Sequence, residues 1–333
     1  MEAEQRTSSQ PRRQPHQAIA MRWLPRPALQ CLAALALLGM LLPLQRAWFP
    51  GQSGIAWVLD LFAHWQPFYA LAWLLSCALL AVGQRYWLWA LPLTFLPWLS
   101  ASRETTGASP SSELVIVVAN VNIHQRDPAR LLQWLHDHPA NIVVLTELSS
   151  AYAEQLAAAG NGGFRHVVLH AQDSPPGLGI LSDRSLQTPR LHADALGALR
   201  LETRIDLQGR SIHLIAVHPK PPMAIRKFRA RDQLLRDLAQ TSTGPTIIAG
   251  DLNATPWSSA LFIAEQQGLR RATGAAPTYP SEGAGLLGIA IDHVLVSAPL
   301  AGTFRQRGPD IGSDHLPVRV GLSWSASPLP PAP

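Results

Sequence analysis

The pattern of hydrophobic and polar positions divides the chain into two unlike parts. Residues 28–100 are almost continuously apolar and contain only three charged residues. They hold three apolar stretches, at about 28–46, 66–83 and 86–101. A membrane-spanning helix needs about 20 such residues, and the third stretch is the weakest because it is short and contains Pro92 and Pro97. The pattern therefore predicts an N-terminal bundle of about three transmembrane helices.

The charges around this region predict its orientation. Residues 1–27 form a basic leader with five arginines. Because positively charged flanks stay on the cytoplasmic side, we expect the N-terminus in the cytoplasm. Three passes would then place the rest of the chain outside the cytoplasm, whereas two passes would leave it inside. A cleaved signal peptide is the alternative for the first stretch, but the leader is long and no A-x-A cleavage site follows it.

The second part of the chain has the pattern of a globular domain at 113–324, between a linker at 101–112 and a Pro-rich tail at 325–333. Short β-branched runs predict strands at 114–119, 142–145, 167–169, 179–181, 199–206, 212–217, 246–249, 291–296 and 318–322. Helical spacing of leucine and alanine predicts helices at 128–135, 151–159 and 224–239. The continuous apolar runs are typical of interior strands, which are buried on both faces.

Charge and cysteine content exclude several functions for this domain. The net charge of +5 comes mostly from the N-terminal hundred residues, because residues 111–333 contain 19 Lys+Arg against 18 Asp+Glu, a net of +1. A broad basic field for nucleic acid is therefore not supported. The two cysteines, Cys31 and Cys77, both lie in the apolar stretches. The domain itself has no disulfide, thiolate metal site or cysteine nucleophile.

Polar residues follow four of the predicted interior strands, at the point where each strand ends. These residues are Asn120, Glu147, His218 and Asp251. If the strands are neighbours, the four side chains gather at one rim, where layered α/β folds form ligand sites. Two further motifs, Gly250-Asp251-Leu252-Asn253 and Ser313-Asp314-His315, add an amide, a carboxylate and an imidazole. Such a set can hold a divalent cation and a phosphate and can direct a water molecule.

Each of these residues also has a simpler explanation. Glu147 could be a solvated carboxylate, and Asp251 or Asn253 could cap the following helix. Asp314 could form a loop turn. The combination of residues favours chemistry in each case, and Asp292 is then a candidate to orient the imidazole of His315.

A local basic segment follows His218 and includes Lys220 and Arg226. Basic helices usually present a solvated face, so that is one reading of the segment. The alternative is that Lys220 and Arg226 attract the phosphate of a substrate.

Taken together, these motifs resemble the endonuclease/exonuclease/phosphatase superfamily, the DNase I-like phosphoesterases. The resemblance spans residues 113–322 and includes Ala119-Asn120-Val121, Leu145-Thr146-Glu147, Val217-His218-Pro219 and Ile291-Asp292-His293 besides the two motifs above. Residues 255–258 and the apolar N-terminal region are similar to its membrane-anchored bacterial branch. The resemblance implies an α+β fold, a four-layer α/β/β/α sandwich of two mixed sheets. A bacterial protein of this kind would lie in the inner membrane, and three passes from a cytoplasmic N-terminus would place its catalytic domain in the periplasm.

The resemblance implies a metal site and a water-activating carboxylate. Glu147, helped by Asn120 and Asp314, would hold Mg²⁺ or Mn²⁺. Asp251 would align or deprotonate the attacking water. Asn253 would donate a hydrogen bond to a phosphate oxygen.

The resemblance also implies roles for two histidines. His315, oriented by Asp292 or Asp314, would contact the phosphate or act as a base. His218 would stabilise the phosphate or protonate the leaving oxygen. An acid role needs a carboxylate partner, and Glu202 is the only candidate that the sequence offers for His218.

The sequence thus predicts a membrane-anchored, divalent-cation-dependent phosphoester hydrolase. Its partners would be the lipid bilayer and a phosphate-ester substrate, which could be a nucleic acid, a nucleotide or a phospholipid, and no obligate protein partner is evident. The alternative is a non-catalytic membrane protein that binds a phosphorylated ligand with the same fold. None of the expected site residues is missing, which favours the enzyme. A transport function is disfavoured because the apolar stretches contain few charges.

Overall fold

A computed structural model describes residues 25–49, 53–105, 111–174 and 176–325. The predictions for the leader before residue 25, for linker residues 106–110 and for the tail after residue 325 lie outside the described residues. The helices are α1 (Arg26–Leu41), α2 (Gln45–Trp48), α3 (Gly54–Ala63), α4 (Gln66–Gly83), α5 (Leu96–Ser100), α6 (Ala129–Asp137), α7 (Ser150–Ala158), α8 (Ile225–Thr241) and α9 (Ser259–Gln266). The strands are β1 (Leu114–Asn120), β2 (Ile142–Leu148), β3 (His166–Asp173), β4 (Pro176–Ser182), β5 (Gln187–Ala193), β6 (Leu199–Leu207), β7 (Arg210–Val217), β8 (Thr246–Asp251), β9 (Arg270–Arg271), β10 (Asp292–Val296), β11 (Leu300–Arg307) and β12 (Val318–Trp324).

The strands form two mixed sheets of six strands each. The first has the order β11-β12-β1-β2-β4-β3 and the second has the order β5-β6-β7-β8-β10-β9. One central pair in each sheet is parallel, β1 with β2 and β7 with β8, and the other neighbours are antiparallel. The prediction of two mixed sheets is confirmed.

The two sheets pack face to face over one hydrophobic core, and helices cover their outer faces. Ile116 of β1 and Ala249 of β8 belong to the central core between the sheets. Residues of α6 and α7 pack on the first sheet, and residues of α8 and α9 pack on the second sheet. The result is the four-layer arrangement expected from the sequence. In such a sandwich, the ends of the strands are the places where side chains reach solvent between the sheets.

Two N-terminal helical stretches are long and apolar enough to cross a membrane. One is the 23-residue stretch Arg26–Trp48, which includes α1 and α2, and the other is the 18-residue α4. Only 33% of the most apolar window of each is buried. Exposed leucines such as Leu35 and Leu75 lie on their outer faces. A core helix of a water-soluble domain would bury most of this surface.

The third predicted transmembrane α-helix is wrong. Residues Arg85–Phe95 form a 3₁₀ segment that contains Pro92, and α5 adds only five residues. Proline has no N–H to donate and clashes with the preceding turn, so it prevents a continuous α-helix. The segment nevertheless runs back along α4, where Trp73 Nε1 donates to the carbonyl of Ala90 at 3.0 Å. It then reaches the globular domain, where Trp257 Nε1 donates to the carbonyl of Pro97 at 2.7 Å.

A buried ion-pair network joins α3 to the globular domain. The Arg231 guanidinium of α8 donates to Asp60 Oδ2 at 2.8 Å and to Asp232 Oδ1 at 2.9 Å. Asp60 Oδ1 also accepts the N–H of Ser259 at 2.7 Å. The third guanidinium nitrogen, Nη1, donates to the carbonyl of Asn253 at 2.9 Å. A buried charge is stable only when it is paired, so α3 is part of the packing of the domain.

The first residues of the predicted linker, up to residue 105, are also held against the domain. The N–H of Ser102 donates to the carbonyl of Pro256 at 2.7 Å, and that of Thr105 donates to the carbonyl of Arg271 at 2.8 Å. Arg271 donates in turn to the carbonyl of Ser102 at 2.8 Å. Residues 102–105 therefore have fixed positions beside β9.

Replacing Asp60 should destabilise the full-length protein. In Asp60→Asn the guanidinium of Arg231 loses a charged partner while it stays buried, and broken buried pairs typically cost about 3 kcal/mol or more. The midpoint of chemical or thermal unfolding in detergent measures this loss. The exposed pair Arg130–Asp310, with an N–O distance of 3.1 Å, provides the matched control. Asp310→Asn should change the stability by less than about 1 kcal/mol; equal effects of the two substitutions would show that α3 does not depend on its buried pair.

Candidate active site

The C-terminal ends of both parallel strand pairs meet at one end of the sandwich. Asn120 ends β1 and Glu147 lies near the end of β2, whereas His218 follows β7 and Asp251 ends β8. Asn120 Nδ2 lies 3.0 Å from Glu147 Oε1 and 3.1 Å from Asp251 Oδ2. The four predicted residues are thus together, and they come from two facing sheets rather than from one rim.

The backbone at two of these strand ends has an unusual conformation that positions the side chains. Glu147 has a φ of 57° at the point where the pairing of β2 with β4 shifts register. A positive φ is rare for a residue with a side chain, and it redirects Glu147 out of the regular alternation of the strand. Gly250 allows a close approach of β8 to β7, because a Cβ at this position would lie 1.9 Å from the carbonyl oxygen of Val217. This contact places His218 beside Asp251.

Asn120 is the buried centre of the cluster. Besides the two carboxylates, its Nδ2 lies 3.3 Å from His315 Nε2. Its Oδ1 accepts the N–H of Asn122 at 3.0 Å, and Asn122 Nδ2 donates to Asp314 Oδ1 at 2.9 Å. The Asn120 amide therefore links the site residues of both sheets and of the loop before β12.

Asp251 is buried at the end of β8 and carries its charge at neutral pH. Burial by itself would raise the pKa of Asp251, but the hydrogen bond from His218 and the positive charges of His315 and His218 outweigh burial and lower the pKa to about 2. His218 Nε2 lies 3.4 Å from Asp251 Oδ2 and 3.9 Å from Glu147 Oε1. His218 thus has a carboxylate partner, and the candidate Glu202 was the wrong one. Glu202 instead faces His213, His192 and Arg200 on the outer part of the second sheet.

His315 is held by the buried carboxylate of Asp292, as expected. The distance between His315 Nδ1 and Asp292 Oδ2 is 2.8 Å. Burial by itself would lower the pKa of His315, but Asp292 and the charges of Asp251 and Asp314 raise that pKa to about 10. His315 is therefore a protonated imidazolium at neutral pH when no cation is bound. It can donate a hydrogen bond to an anion, which favours phosphate contact over the role of base.

A cavity of about 760 Å³ opens onto this cluster. Glu147, His218, Asp251, Asp314 and His315 line it, together with Asn253 and Lys220. Asn120 and Asp292 lie behind these residues and are buried, at 0% and 1% exposure. Arg226 is exposed on the first turn of α8 and does not belong to the cavity lining.

Several lining residues carry no signal in the sequence. Tyr279 lies against His315, with 4.8 Å between the ring centroids. Leu61, Phe62, His64 and Trp65 reach the same cavity from the end of α3 and the turn before α4. They lie between two predicted membrane segments, about 150 residues before His218 in the sequence, so no local motif could have assigned them to the site.

The donor atoms around the cavity fit a divalent cation. Glu147, His218 and Asp251 each offer one ligand atom, and these three atoms lie within 4.8 Å of one another. Carboxylate oxygens are the usual ligands of Mg²⁺, and Mn²⁺ also accepts imidazole. Asn120 points its Nδ2 at the carboxylates, so its amide would have to turn before its oxygen could bind a metal. That turn would give up the hydrogen bond that Asn120 Oδ1 accepts from the N–H of Asn122.

Known structures share this architecture at low sequence identity. D. rerio TDP2 complexed with single-strand DNA product is 16% identical, with a TM-score of 0.52, and the match covers 63% of this chain and 98% of that chain. An endonuclease/exonuclease/phosphatase from Beutenbergia cavernae is 18% identical, with a TM-score of 0.52 and coverages of 64% and 72%. The human Nocturnin catalytic domain with bound sulfate anion is 17% identical, with a TM-score of 0.51 and coverages of 67% and 97%. These likenesses concern the fold.

The family of the chain follows from its sequence rather than from the structural likeness. No curated protein matches the chain. The model of the Endonuclease/Exonuclease/phosphatase family matches residues 117–315, which is more than half of the chain and includes the site residues from Asn120 to His315. The chain belongs to the Endonuclease/Exonuclease/phosphatase family.

Proposed function

We propose that the chain is a membrane-anchored phosphoester hydrolase that depends on a divalent cation, Mg²⁺ or Mn²⁺. The observation that carries this proposal is the cluster around Asn120, in which Glu147, Asp251 and His315 face an open cavity. Membership of the family supports a phosphoester substrate, and among the proteins of similar fold one holds a DNA product and another holds a sulfate anion.

Asp251 is the group that orients the attacking water. Its low pKa keeps it ionised, so one oxygen can accept a hydrogen bond from water while His218 and Asn120 hold the carboxylate. A carboxylate of such low pKa is a weak base, so Asp251 acts by fixing the position of the water, where a misplacement of about 1 Å can cost about 10²-fold in rate.

His315, Asn253 and Lys220 supply positive charge and hydrogen bonds to the phosphate. The Asp292 carboxylate fixes the ring of His315 through Nδ1, which leaves Nε2 toward the cavity. Such donors stabilise the charge that develops on the phosphoryl oxygens during attack by water. His218, between two carboxylates, is placed to give a proton to the leaving oxygen.

Glu147, with Asn120 and Asp314 beside it, would hold the cation. A bound Mg²⁺ or Mn²⁺ would polarise the phosphoryl group and lower the pKa of a water molecule. The exposed apolar faces of α1 and α4 support the membrane anchor. The arginines of the leader support a cytoplasmic N-terminus, and the return of residues 85–100 along α4 supports a domain on the opposite, periplasmic side.

A non-catalytic protein that binds a phosphorylated ligand is the second candidate. The ion pair of Asp292 with His315, beside the carboxylate of Asp251, favours the enzyme, because a binding site alone does not need ionisable groups with such shifted pKa values. Ligand binding without turnover of any phosphoester would favour the binding protein.

Loss of Asp251 should abolish hydrolysis. The full-length protein in detergent should hydrolyse the chromogenic diester bis(p-nitrophenyl) phosphate with Mg²⁺ or Mn²⁺, and Asp251→Ala or His315→Ala should lower kcat at least about 100-fold. Glu202→Gln is the matched control, because Glu202 also faces two histidines but lies outside the cavity. Activity that survives in both site variants would rule out this cluster as the active site.

Cation binding should depend on Glu147. Calorimetric titration of the full-length protein with Mn²⁺ should show an affinity that falls at least about tenfold in Glu147→Gln, since the variant loses an anionic ligand. Glu202→Gln should bind Mn²⁺ like the wild type. Unchanged affinity in Glu147→Gln would place the cation elsewhere.

The proton on His315 should make stability depend on pH in the metal-free protein. The folded pKa of about 10 lies above the ordinary value of 6.5, so the stabilisation is complete below about pH 6.5 and is lost as the pH rises toward about 10. Asp292→Asn removes the main cause of the shift. In EDTA, the stability advantage of wild type over this variant should therefore shrink between those two pH values, and a constant advantage would mean that His315 is neutral.

A further inference from the structure

Two chemically different groups of residues line the cavity at the proposed active site. One is the polar cluster of Glu147, Asp251 and His315. The other forms an apolar wall of Leu61, Phe62, Trp65, Pro222, Met223 and Ile289. A substrate that contacts both groups must therefore carry a phosphoester and an apolar group.

The N-terminal region forms one side of this apolar wall. Leu61 and Phe62 lie in the last turn of α3, and Trp65 immediately precedes α4. All three precede residue 117, where the family match begins. The packing that brings them here is fixed, because α3 is fastened to the domain by Asp60 and because His64 Nδ1 lies 2.8 Å from Thr255 Oγ1. This side of the wall thus comes from a part of the chain that precedes the matched family domain.

The same region indicates where a bilayer surface would lie. α4 is one of the two helices that can cross a membrane, and it starts at Gln66, directly after Trp65. Tryptophan beside the end of a spanning helix lies at the level of the lipid headgroups. Ile55, Val58 and Phe62 are exposed at helical spacing along α3, as in a helix that lies on a membrane surface. The mouth of the cavity would then open at the headgroup level.

A loop beside the cavity presents a second apolar surface. Tyr279 and Ile289 both line the cavity and pair with each other across the base of the loop. Between them, Leu286 and Leu287 are 82% and 75% exposed. Two adjacent exposed leucines at a loop tip are costly in water and are favourable in contact with lipid.

The charges of the lining do not suit a nucleic acid strand. Lys220 is the only lysine or arginine among the described residues that line the cavity. Single strands are bound in grooves with several basic residues that follow the phosphates. Here the residues beside the polar cluster are leucine, proline and methionine, which offer no charge to a second or third phosphate.

We propose that the substrate is a membrane lipid phosphoester, whose phosphate reaches the Asp251–His315 cluster while its acyl chains leave the cavity along Phe62 and Trp65. This inference rests on the proposed hydrolase function. Water forms a bond to phosphorus as the bond from phosphorus to one alcohol oxygen breaks, and that alcohol leaves with a proton. Water is the only co-reactant, and the products are the alcohol and the remaining phosphate ester, or inorganic phosphate if the substrate is a monoester.

The test compares matched pairs of substrates with full-length protein in detergent or in vesicles. The lipid members are dioleoyl phosphatidylglycerol, phosphatidylethanolamine and phosphatidic acid, and each soluble member is its deacylated counterpart. A single-stranded oligonucleotide and bis(p-nitrophenyl) phosphate complete the panel. At least one lipid should be hydrolysed about tenfold or more faster than its deacylated counterpart, because only the lipid occupies the apolar wall.

Two variants test whether the apolar wall causes the preference for lipid substrates. Phe62→Gln and Met223→Gln should each lower the ratio of lipid to deacylated rates at least about threefold, since each makes the wall polar without touching the polar cluster. Leu191→Gln is the matched control, because Leu191 is an exposed apolar residue on β5 away from the cavity. It should leave the ratio unchanged.

The outcomes separate this inference from the proposed function. Equal rates for lipid and deacylated substrates, a preference for the oligonucleotide, or wall variants that leave the ratio unchanged would each overturn the lipid assignment. Hydrolysis of bis(p-nitrophenyl) phosphate that requires Asp251 would still support the hydrolase in those cases. Failure to hydrolyse any member of the panel with Mg²⁺ or Mn²⁺ would overturn both.

Discussion

The organisation of the site depends on the buried amide of Asn120, which holds two carboxylates from two different sheets within hydrogen-bond distance. The two carboxylates repel each other, because one oxygen of each lies within 4.8 Å of the other. The neutral amide between them offsets only a part of that repulsion. His218 and His315, which lie beside Asp251, offset a further part, and a cation bound by Glu147 would offset more of it. The sandwich therefore gathers at one end both carboxylates, which suit a cation, and the imidazolium of His315, which suits a phosphate. The fold keeps them there because the parallel pairs β1–β2 and β7–β8 end at the same place.

The N-terminal region contributes more than an anchor. Arg231 lies between Asp60 of α3 and the carbonyl of Asn253, so one buried guanidinium contacts both the N-terminal region and the loop that carries a proposed phosphate ligand. The end of the same helix supplies a wall of the cavity. The geometry at the active site and the position of α3 are thus determined by the same contacts. A domain that begins at residue 113 would lack Asp60 and the part of the apolar wall that α3 supplies. Assays therefore need the full-length chain.

The sequence was informative wherever a local pattern determines the outcome. Asn120, Glu147, His218 and Asp251 could be assigned to one site because polar residues after continuous apolar runs mark the exits of interior strands. The edge strands β5 and β11 were missed. β5 is almost wholly exposed and has no apolar run. In β11 only the first three residues are buried, so its apolar run is too short to indicate a strand. The third transmembrane helix was predicted from apolar composition, but Pro92 changed its backbone. Glu202 is not the partner of His218, because it pairs in the sheet with Ile215, two residues before β7 ends at Val217. The contact between Asp60 and Arg231 joins residues 171 positions apart, and no pattern reveals such a pair.

Anomalous diffraction from crystals of the full-length protein, grown with Mn²⁺ and inorganic phosphate, would test the assembled site most directly. We expect one Mn²⁺ bound to a carboxylate oxygen of Glu147, with phosphate between the cation and Nε2 of His315. A cation bound away from Glu147, or a phosphate that does not contact His315, would contradict the assignment of this cluster as the catalytic centre.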